Sequence, residues 1–382
     1  RSSPFSLILN QDNSIKSIFA NYCDVLSQDL YLSKLFRFNL FENMIVVKGA
    51  FWNLTEHALD ESDILHVRKY VNILHQLDNE KNVISAIKYN ARLHPYNPLV
   101  DRLKSLNWDG VPRIHRLLPR YLGAEESEYT TTVTLMLLHG AIQRIMNPGV
   151  KFDNCVIFAD KMQGSGKSTL CRFLSLEDKY FCDDLRDLDD SDKAYRKIRT
   201  SWIVELAEMV ATRNTKTVES IKAFLSQTCD VYTEKYAIVT ETIPRHSVFI
   251  GTTNKTEFLP SDPTGNRRFF PVICNGKKAE VHPMANEAET RAFIEACYAE
   301  AMAFGIRGGW TLTMPDELLD EVERIREGSS PDDTRIPVVQ QWLDDHPTVT
   351  AVCTRMVYFD ILHHGDVNTK IEIGRASCRE RV

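Results

Sequence analysis

An α/β fold organised on a parallel sheet is what this sequence predicts, and three features predict it. Asn154-Cys155-Val156-Ile157-Phe158-Ala159 is a short apolar run rich in β-formers, followed by a glycine-rich turn and then a helical segment from Ser168 to Leu174. Two further apolar runs, Ser201 to Leu206 and Ser247 to Thr252, repeat the strand signal. A helical stretch, Val218 to Leu225, lies between them. Runs that stay apolar without alternating suit strands covered on both faces, and strand–helix alternation builds a parallel sheet.

The flanks read as helical. Ile18, Tyr22, Val25 and Leu26, then Leu30, Leu32, Leu35 and Phe36, recur at helical spacing, and Met44 to Trp52 allows a short hairpin. Further helices are expected after Ser62 and from Lys81 to Leu93, ending near Pro95 and Pro98. Asn107 to Arg113 combines Asp-Gly with proline and marks a joint. The expected organisation is therefore a mainly helical region over 1–110, a core over 111–275, and a helical C-terminal region over 276–370. Its last piece, Ile336 to His364, reads as a small helical segment or a truncated winged helix. The chain starts at Arg1 and ends in a stretch, 371–382, that reads as a non-native tail, so a fragment is expected.

Composition narrows the function. The chain has 382 residues, 46 basic and 52 acidic side chains and a net charge of -6, so nucleic acid would have to be met by local patches. Nine cysteines without Cys-x-x-Cys pairs read as reduced, mostly buried thiols of a cytoplasmic protein, and the eleven histidines show no zinc-ligand spacing. The longest apolar stretch, Val133 to Ile145, holds His139, Gln143 and Arg144, which argues for a buried helix and against a membrane span.

The chemistry concentrates in Gln163-Gly164-Ser165-Gly166-Lys167-Ser168-Thr169, between the first strand and its helix. Backbone N–H groups can converge on phosphate oxygens where no Cβ intervenes, and a helix start adds unpaired donors. Gly164, Ser165, Gly166, Lys167, Ser168 and Thr169 are thus expected to bind ATP, with Lys167 on the β- and γ-phosphates and the Ser168 hydroxyl on Mg²⁺. The full loop pattern has a further glycine where this chain has Lys161; a ligand-free glycine turn is the plain alternative.

Glu205 ends the second apolar strand 38 residues after Lys167 and is expected to hold Mg²⁺, since a buried charge calls for a cation. Glu208 is the candidate base, or else an exposed residue at a helix start. Asn254, at the tip of the third strand, suits a γ-phosphate sensor, or else a turn cap. Arg267 and Arg268 are candidates to clamp a transferring phosphoryl group across a subunit interface, or else a surface pair. Tyr232, Lys235, Tyr236 and Arg245 form a basic and aromatic window suited to single-stranded DNA, although a solvated hairpin has the same composition. Cys171, on the loop helix, reads as a packing residue.

Together, Arg144 to Asp153, the loop 163–168, Ile203 to Glu208, Ile221 to Ser226, Gly265 to Phe269 and the entry segment Trp108 to Arg113 resemble the virulence-associated protein E family of phage, plasmid and pathogenicity-island proteins. The resemblance implies a P-loop NTPase core similar to AAA+ proteins and superfamily 3 helicases, with ATP and Mg²⁺ as cofactors. It further implies a homo-oligomer, a hexameric ring, acting on DNA in mobile-element replication, often alongside a primase domain. Two other classes stay open: a nucleotide-gated interaction protein without motor activity, and a small-molecule kinase. The short gap from Lys167 to Glu205 disfavours the kinase.

Overall fold

The first hundred residues carry a sheet that the helical spacing does not announce. In the computed structural model, which describes residues 7–185, 191–208, 215–232, 241–255, 257–259, 266–330, 335–347, 349, 351–353, 356–357 and 361, β1 (Phe36–Asn39) pairs antiparallel with β2 (Met44–Val47) and parallel with β4 (Pro95–Tyr96). β3 (His57–Ala58) closes the order β3-β2-β1-β4. Packed with it are α1 (Phe19–Gln28), α2 (Glu61–His75) and α3 (Glu80–Leu93). Helix α2 starts at a reciprocal capping box between Asp60 and Asp63, not at Ser62. The region is mainly helical, as expected, with a small four-stranded sheet added. The Leu30 to Phe36 segment becomes one 3-10 turn and a strand, because Phe36 and Val47 bury their side chains only when the strands pair.

The cores also divide elsewhere than the joint at 107–113. Tyr22 to Ala91 form one apolar cluster, whereas Leu99 and Leu103 of α4 (Pro98–Ser105) belong to the next. That larger core takes in α5 (Ile114–Leu122), α6 (Glu128–Met146), α10 (Glu287–Gly308) and α11 (Leu319–Gly328). The two long helices are entered through side-chain caps, Ser127 on the Thr130 N–H and Asn286 on the Glu289 N–H. The expected break at 275 is therefore not a boundary: Ile294, Cys297 and Tyr298 of α10 pack in the same core as the sheet. A last helix, α12 (Arg335–Asp345), follows; no winged helix can be read among the described residues there.

The central sheet is parallel throughout, in the order β11-β5-β10-β7-β6. Its strands are β5 (Cys155–Ala159), β6 (Phe181–Cys182), β7 (Ile203–Ala207), β10 (Val248–Thr253) and β11 (Phe269–Ile273). Alternate side chains enter opposite cores. Val156 and Phe158 face α6, α7 (Lys167–Leu174) and α10, while Cys155, Ile157 and Ala159 face α8 (Ser191–Ile198) and α9 (Thr215–Ser226). Cover on both faces explains why these strands read as unbroken apolar runs. Trp202, fully buried just before β7, stacks on Tyr298 and donates from Nε1 to the Ala141 carbonyl at 2.9 Å. A separate hairpin, β8 (Cys229–Tyr232) with β9 (Glu241–Pro244), stands beside the sheet.

The outer edge of β11 is closed by side chains. Arg326 of α11 donates to the Phe269 and Arg267 carbonyls at 2.9 and 2.8 Å, and the Tyr129 hydroxyl donates to the Pro271 carbonyl at 2.7 Å.

The two cores meet at Phe41, whose ring lies 5.0 Å from that of Tyr180 and 4.4 Å from that of His246. Burial pushes the His246 imidazole down to about 4, aided by Arg144 and Arg245 and opposed by a backbone hydrogen bond at Arg199 and by Asp230. The folded form binds this proton more weakly than the unfolded chain, whose histidine titrates near 6.5. Its stabilising contribution is thus complete above pH 6.5 and is lost as pH falls from there through 4, about 3 kcal/mol in all. Urea denaturation across that window is expected to show the loss in the wild type and a flatter profile in His246→Phe.

Candidate functional site

Register places three chain ends at one level. Thr253 pairs with Ala159 and Thr252 with Ala207, so β5, β10 and β7 finish together at the carboxyl edge of the sheet. Because β10 lies between the other two, Asn254 stands between the glycine bend after β5 and the acidic turn after β7. A cavity of about 450 Å³ opens there, lined by residues 163–169, Ala207, Glu208, Thr252 to Asn254 and His282.

The bend owes its shape to two residues. Gly164 has φ +74° and open space where a Cβ would stand; Gly166 has φ +89° and caps α7, which begins without any side-chain cap. Both need the conformation that glycine adopts without strain. Lys161 does not: its φ is not positive, and its exposed side chain lines a separate cavity with Lys277 and Asn275. The lysine at the family's glycine position therefore neither strains nor fills the bend.

Lys167, largely buried, points its ammonium at three oxygens: Asn254 Oδ1 at 2.9 Å, the Met162 carbonyl at 3.2 Å and Ser165 Oγ at 3.2 Å. The Ser168 hydroxyl donates to Glu205 Oε1 at 2.6 Å, and the Thr252 hydroxyl donates to the same oxygen. Glu205 is 1% exposed and has those two hydroxyls as its hydrogen-bond donors among the described residues. A carboxylate so deeply buried, held by neutral groups alone, is a place for a cation. Glu208 sits one turn on, exposed, with φ +54°. Its carboxylate accepts from the Asn254 N–H at 3.0 Å and the Thr253 hydroxyl at 3.1 Å. A positive φ at a non-glycine residue is costly and is retained where surrounding bonds hold it. Thr169 lines the cavity one residue along α7, and burial pushes the Cys171 thiol well up, in keeping with a packing residue.

Sequence reasoning missed Asp160. It is buried at the end of β5 and accepts from the Met162 N–H and the Gly276 N–H, both at 2.8 Å, so it ties the bend to the segment after β11. The signal was present: an acid ending an apolar strand, the same pattern that singled out Glu205.

The arginines lie elsewhere. Phe269 pairs with Cys155, so Arg267 and Arg268 sit at the amino edge of the sheet, opposite the cavity of their own chain. Arg267 is exposed; Arg268 pairs with Asp153 at 3.1 Å. Arg245 is not on the surface, which corrects the expectation of a DNA contact. It is 1% exposed, donates to both oxygens of Asp230, to Gln227 and to the Phe224 carbonyl, and lies over the Phe224 ring at 4.4 Å. A guanidinium with its donors filled by one carboxylate, an amide and a carbonyl holds the base of the β8–β9 hairpin and cannot reach a phosphate. Lys235 and Tyr236 lie outside the described residues, and Tyr232 is placed only as the last residue of β8.

A sequence profile described as the virulence-associated protein E-like domain matches residues 103–326. Among solved structures, the apo NrS-1 C-terminal region (305-718) is similar at TM-score 0.50 and 14% identity, over 82% of this chain and 79% of that one. Its A form is similar at TM-score 0.50 and 16% identity, over 81% and 77%. At such identity the likeness concerns the fold alone. No curated protein sequence matches. No helix among the described residues is long and apolar enough to cross a membrane.

Removing one partner of the buried Arg245–Asp230 pair strands the other. Arg245→Ala is expected to lower unfolding free energy by about 3–5 kcal/mol in chemical denaturation, a stability loss where a DNA contact would have left the melt unchanged.

Proposed function

The chain belongs to the virulence-associated protein E-like family, and from that premise we propose that it is a P-loop ATPase of the AAA+ and superfamily 3 helicase type, acting on DNA in the replication of a mobile element. One observation carries the reading: Lys167, Ser168 and Asn254 line one cavity at the carboxyl edge of a parallel sheet, where Lys167 donates to Asn254 and Ser168 donates to Glu205, from a third chain segment.

The residues fit a magnesium nucleotide. The uncapped start of α7 offers unpaired N–H groups, Gly164 leaves room for phosphate oxygens to approach, and Lys167 adds a positive charge. Ser168 and Glu205, an all-oxygen pair, would hold Mg²⁺, which when bound neutralises charge on the β- and γ-phosphate oxygens. Lys167 exchanges Asn254 for the phosphates. Asn254 then has its amide oxygen free to orient a water. Glu208 accepts the proton of that water, exchanging its bonds to Thr253 and Asn254 for it.

Arg267 cannot serve the cavity of its own chain from the opposite sheet edge, so its role on the transferring phosphoryl group requires a neighbouring copy, in a hexameric ring. Arg268 would first have to give up Asp153. Tyr232, Lys235 and Tyr236 remain the residues offered to single-stranded DNA, and a primase domain is the expected companion.

Lys167→Ala is expected to lower ATP hydrolysis on the order of 100-fold or more, measured by phosphate release, while the apo fold melts unchanged. Single-stranded DNA should raise the wild-type rate several-fold; a rate indifferent to DNA would favour the nucleotide-gated interaction protein.

Mixing tests the ring. Lys167→Ala and Arg267→Ala are each expected to be inactive alone and to recover part of the activity when combined, since an intact lysine then meets an intact arginine across some interfaces. No recovery would remove Arg267 from the reaction.

A further inference from the structure

One wall of the cavity is built from outside the glycine bend. After β11 the chain returns past the loop, and each step of that return is fastened. The Cys274 N–H donates to the Ala159 carbonyl at 2.7 Å, the Asn275 N–H to Leu122 at 3.0 Å, the Gly276 N–H to Asp160 at 2.8 Å and the Glu280 N–H to Arg120 at 2.9 Å. The Thr290 hydroxyl holds the Pro283 carbonyl at 2.9 Å. A segment pinned at five points presents its side chains in fixed positions.

His282 is the side chain it presents. A Cβ on Gly166 would stand 2.6 Å from Pro283 Cδ and 3.3 Å from His282 Nε2, so the imidazole edge lies directly over the last residue of the bend. The same imidazole lines the cavity with Lys167 and Ser168. Its other nitrogen is already committed: Nδ1 accepts from the Met284 N–H at 3.2 Å. An imidazole that accepts at Nδ1 carries its proton on Nε2. Nε2 is therefore a donor, on an imidazole that lines the cavity beside Gly166.

We propose that His282 donates, through Nε2–H, a hydrogen bond to a phosphate oxygen of the nucleotide held in the bend, gripping it from outside the glycine loop. The proposal rests on the nucleotide-binding reading above. It also explains Gly166 in a second way: besides its positive φ, the position has no room for a side chain beneath the His282–Pro283 wall. Phosphate is the partner, not the base, because Nε2 stands over the amide-rich end of the bend.

Titration calorimetry of the full chain with ATP, ADP and adenosine tests this. His282→Ala is expected to weaken ATP and ADP about tenfold, the worth of one hydrogen bond to a charged group. His282→Gln, which restores an N–H donor, should recover most of the loss, and His282→Phe should not. Because His282 is exposed, all three variants should melt like the wild type without nucleotide. Unchanged affinity in His282→Ala, or recovery by phenylalanine but not glutamine, overturns the proposal, the latter by showing a ring contact in place of a donor. A wild-type chain that binds neither ATP nor ADP overturns the ATPase reading itself; a wild-type chain that binds while His282→Ala matches it overturns only the part assigned to the histidine.

Discussion

The double pairing of β10 is the constraint on which the rest of the site depends. Strands β5 and β7 do not touch; each is laddered to β10, and the register of both ladders brings their carboxyl ends to the level of Thr252 and Thr253. Two chain segments far apart in sequence thereby deliver a lysine and a carboxylate to opposite sides of one strand tip. Thr252 on that strand hydrogen-bonds Glu205, and Asn254 hydrogen-bonds Lys167. A slip of one residue would turn Thr252 to the other face of the sheet and leave Glu205 with a single donor. The apolar interior of β10 holds the register, because Val248 and Ile250 fit one core and Phe249 the other.

Charge inside the molecule is handled in two ways. Arg144 and Arg245 are fully buried side by side, and desolvation together with their mutual repulsion pulls Arg144 down to about 10. They stay because carbonyls accept from them: Arg144 reaches those of Phe152 and Arg245, and Arg245 reaches that of Phe224 besides Asp230. These are structural cations, spent on joining the hairpin and α6 to the sheet. Lys167 and Glu205 are different. Each is buried next to neutral partners, and neither is neutralised by the other. Side chains left in that condition are the ones available to a ligand.

How far this was legible follows from the range of the interactions. The strand, bend and helix around Lys167 are contiguous, and the glycines, the apolar run and the helix start announce them locally. Glu205 and Asn254 were legible because an acid or an amide ending an apolar strand is unusual wherever it occurs. The N-terminal sheet was not. Its strands are two to four residues long, and β1 finds β4 only after α2 and α3 intervene, so no stretch carries a period of two long enough to see. Arg245 misled because a basic and aromatic window looks alike whether it faces water or Phe224. The bond of Asp160 to Gly276 and the place of His282 at the bend cross the return from β11, a proximity that spacing does not encode, although the acid ending β5 is itself legible.

The finish of β11 bears on how copies of this chain can meet. A parallel sheet with an open border invites another strand to dock. Here the outward carbonyls at 269 and 271 are taken by Arg326 and Tyr129, and the residue between the first and last of β11 that would donate outward is a proline with no N–H to give. On the far border β6 is two residues long, too short a ladder to seed an addition. Both borders of the central sheet thus offer little backbone to an incoming strand, which favours copies joined through side chains, the sheet of each keeping the width it had when it folded.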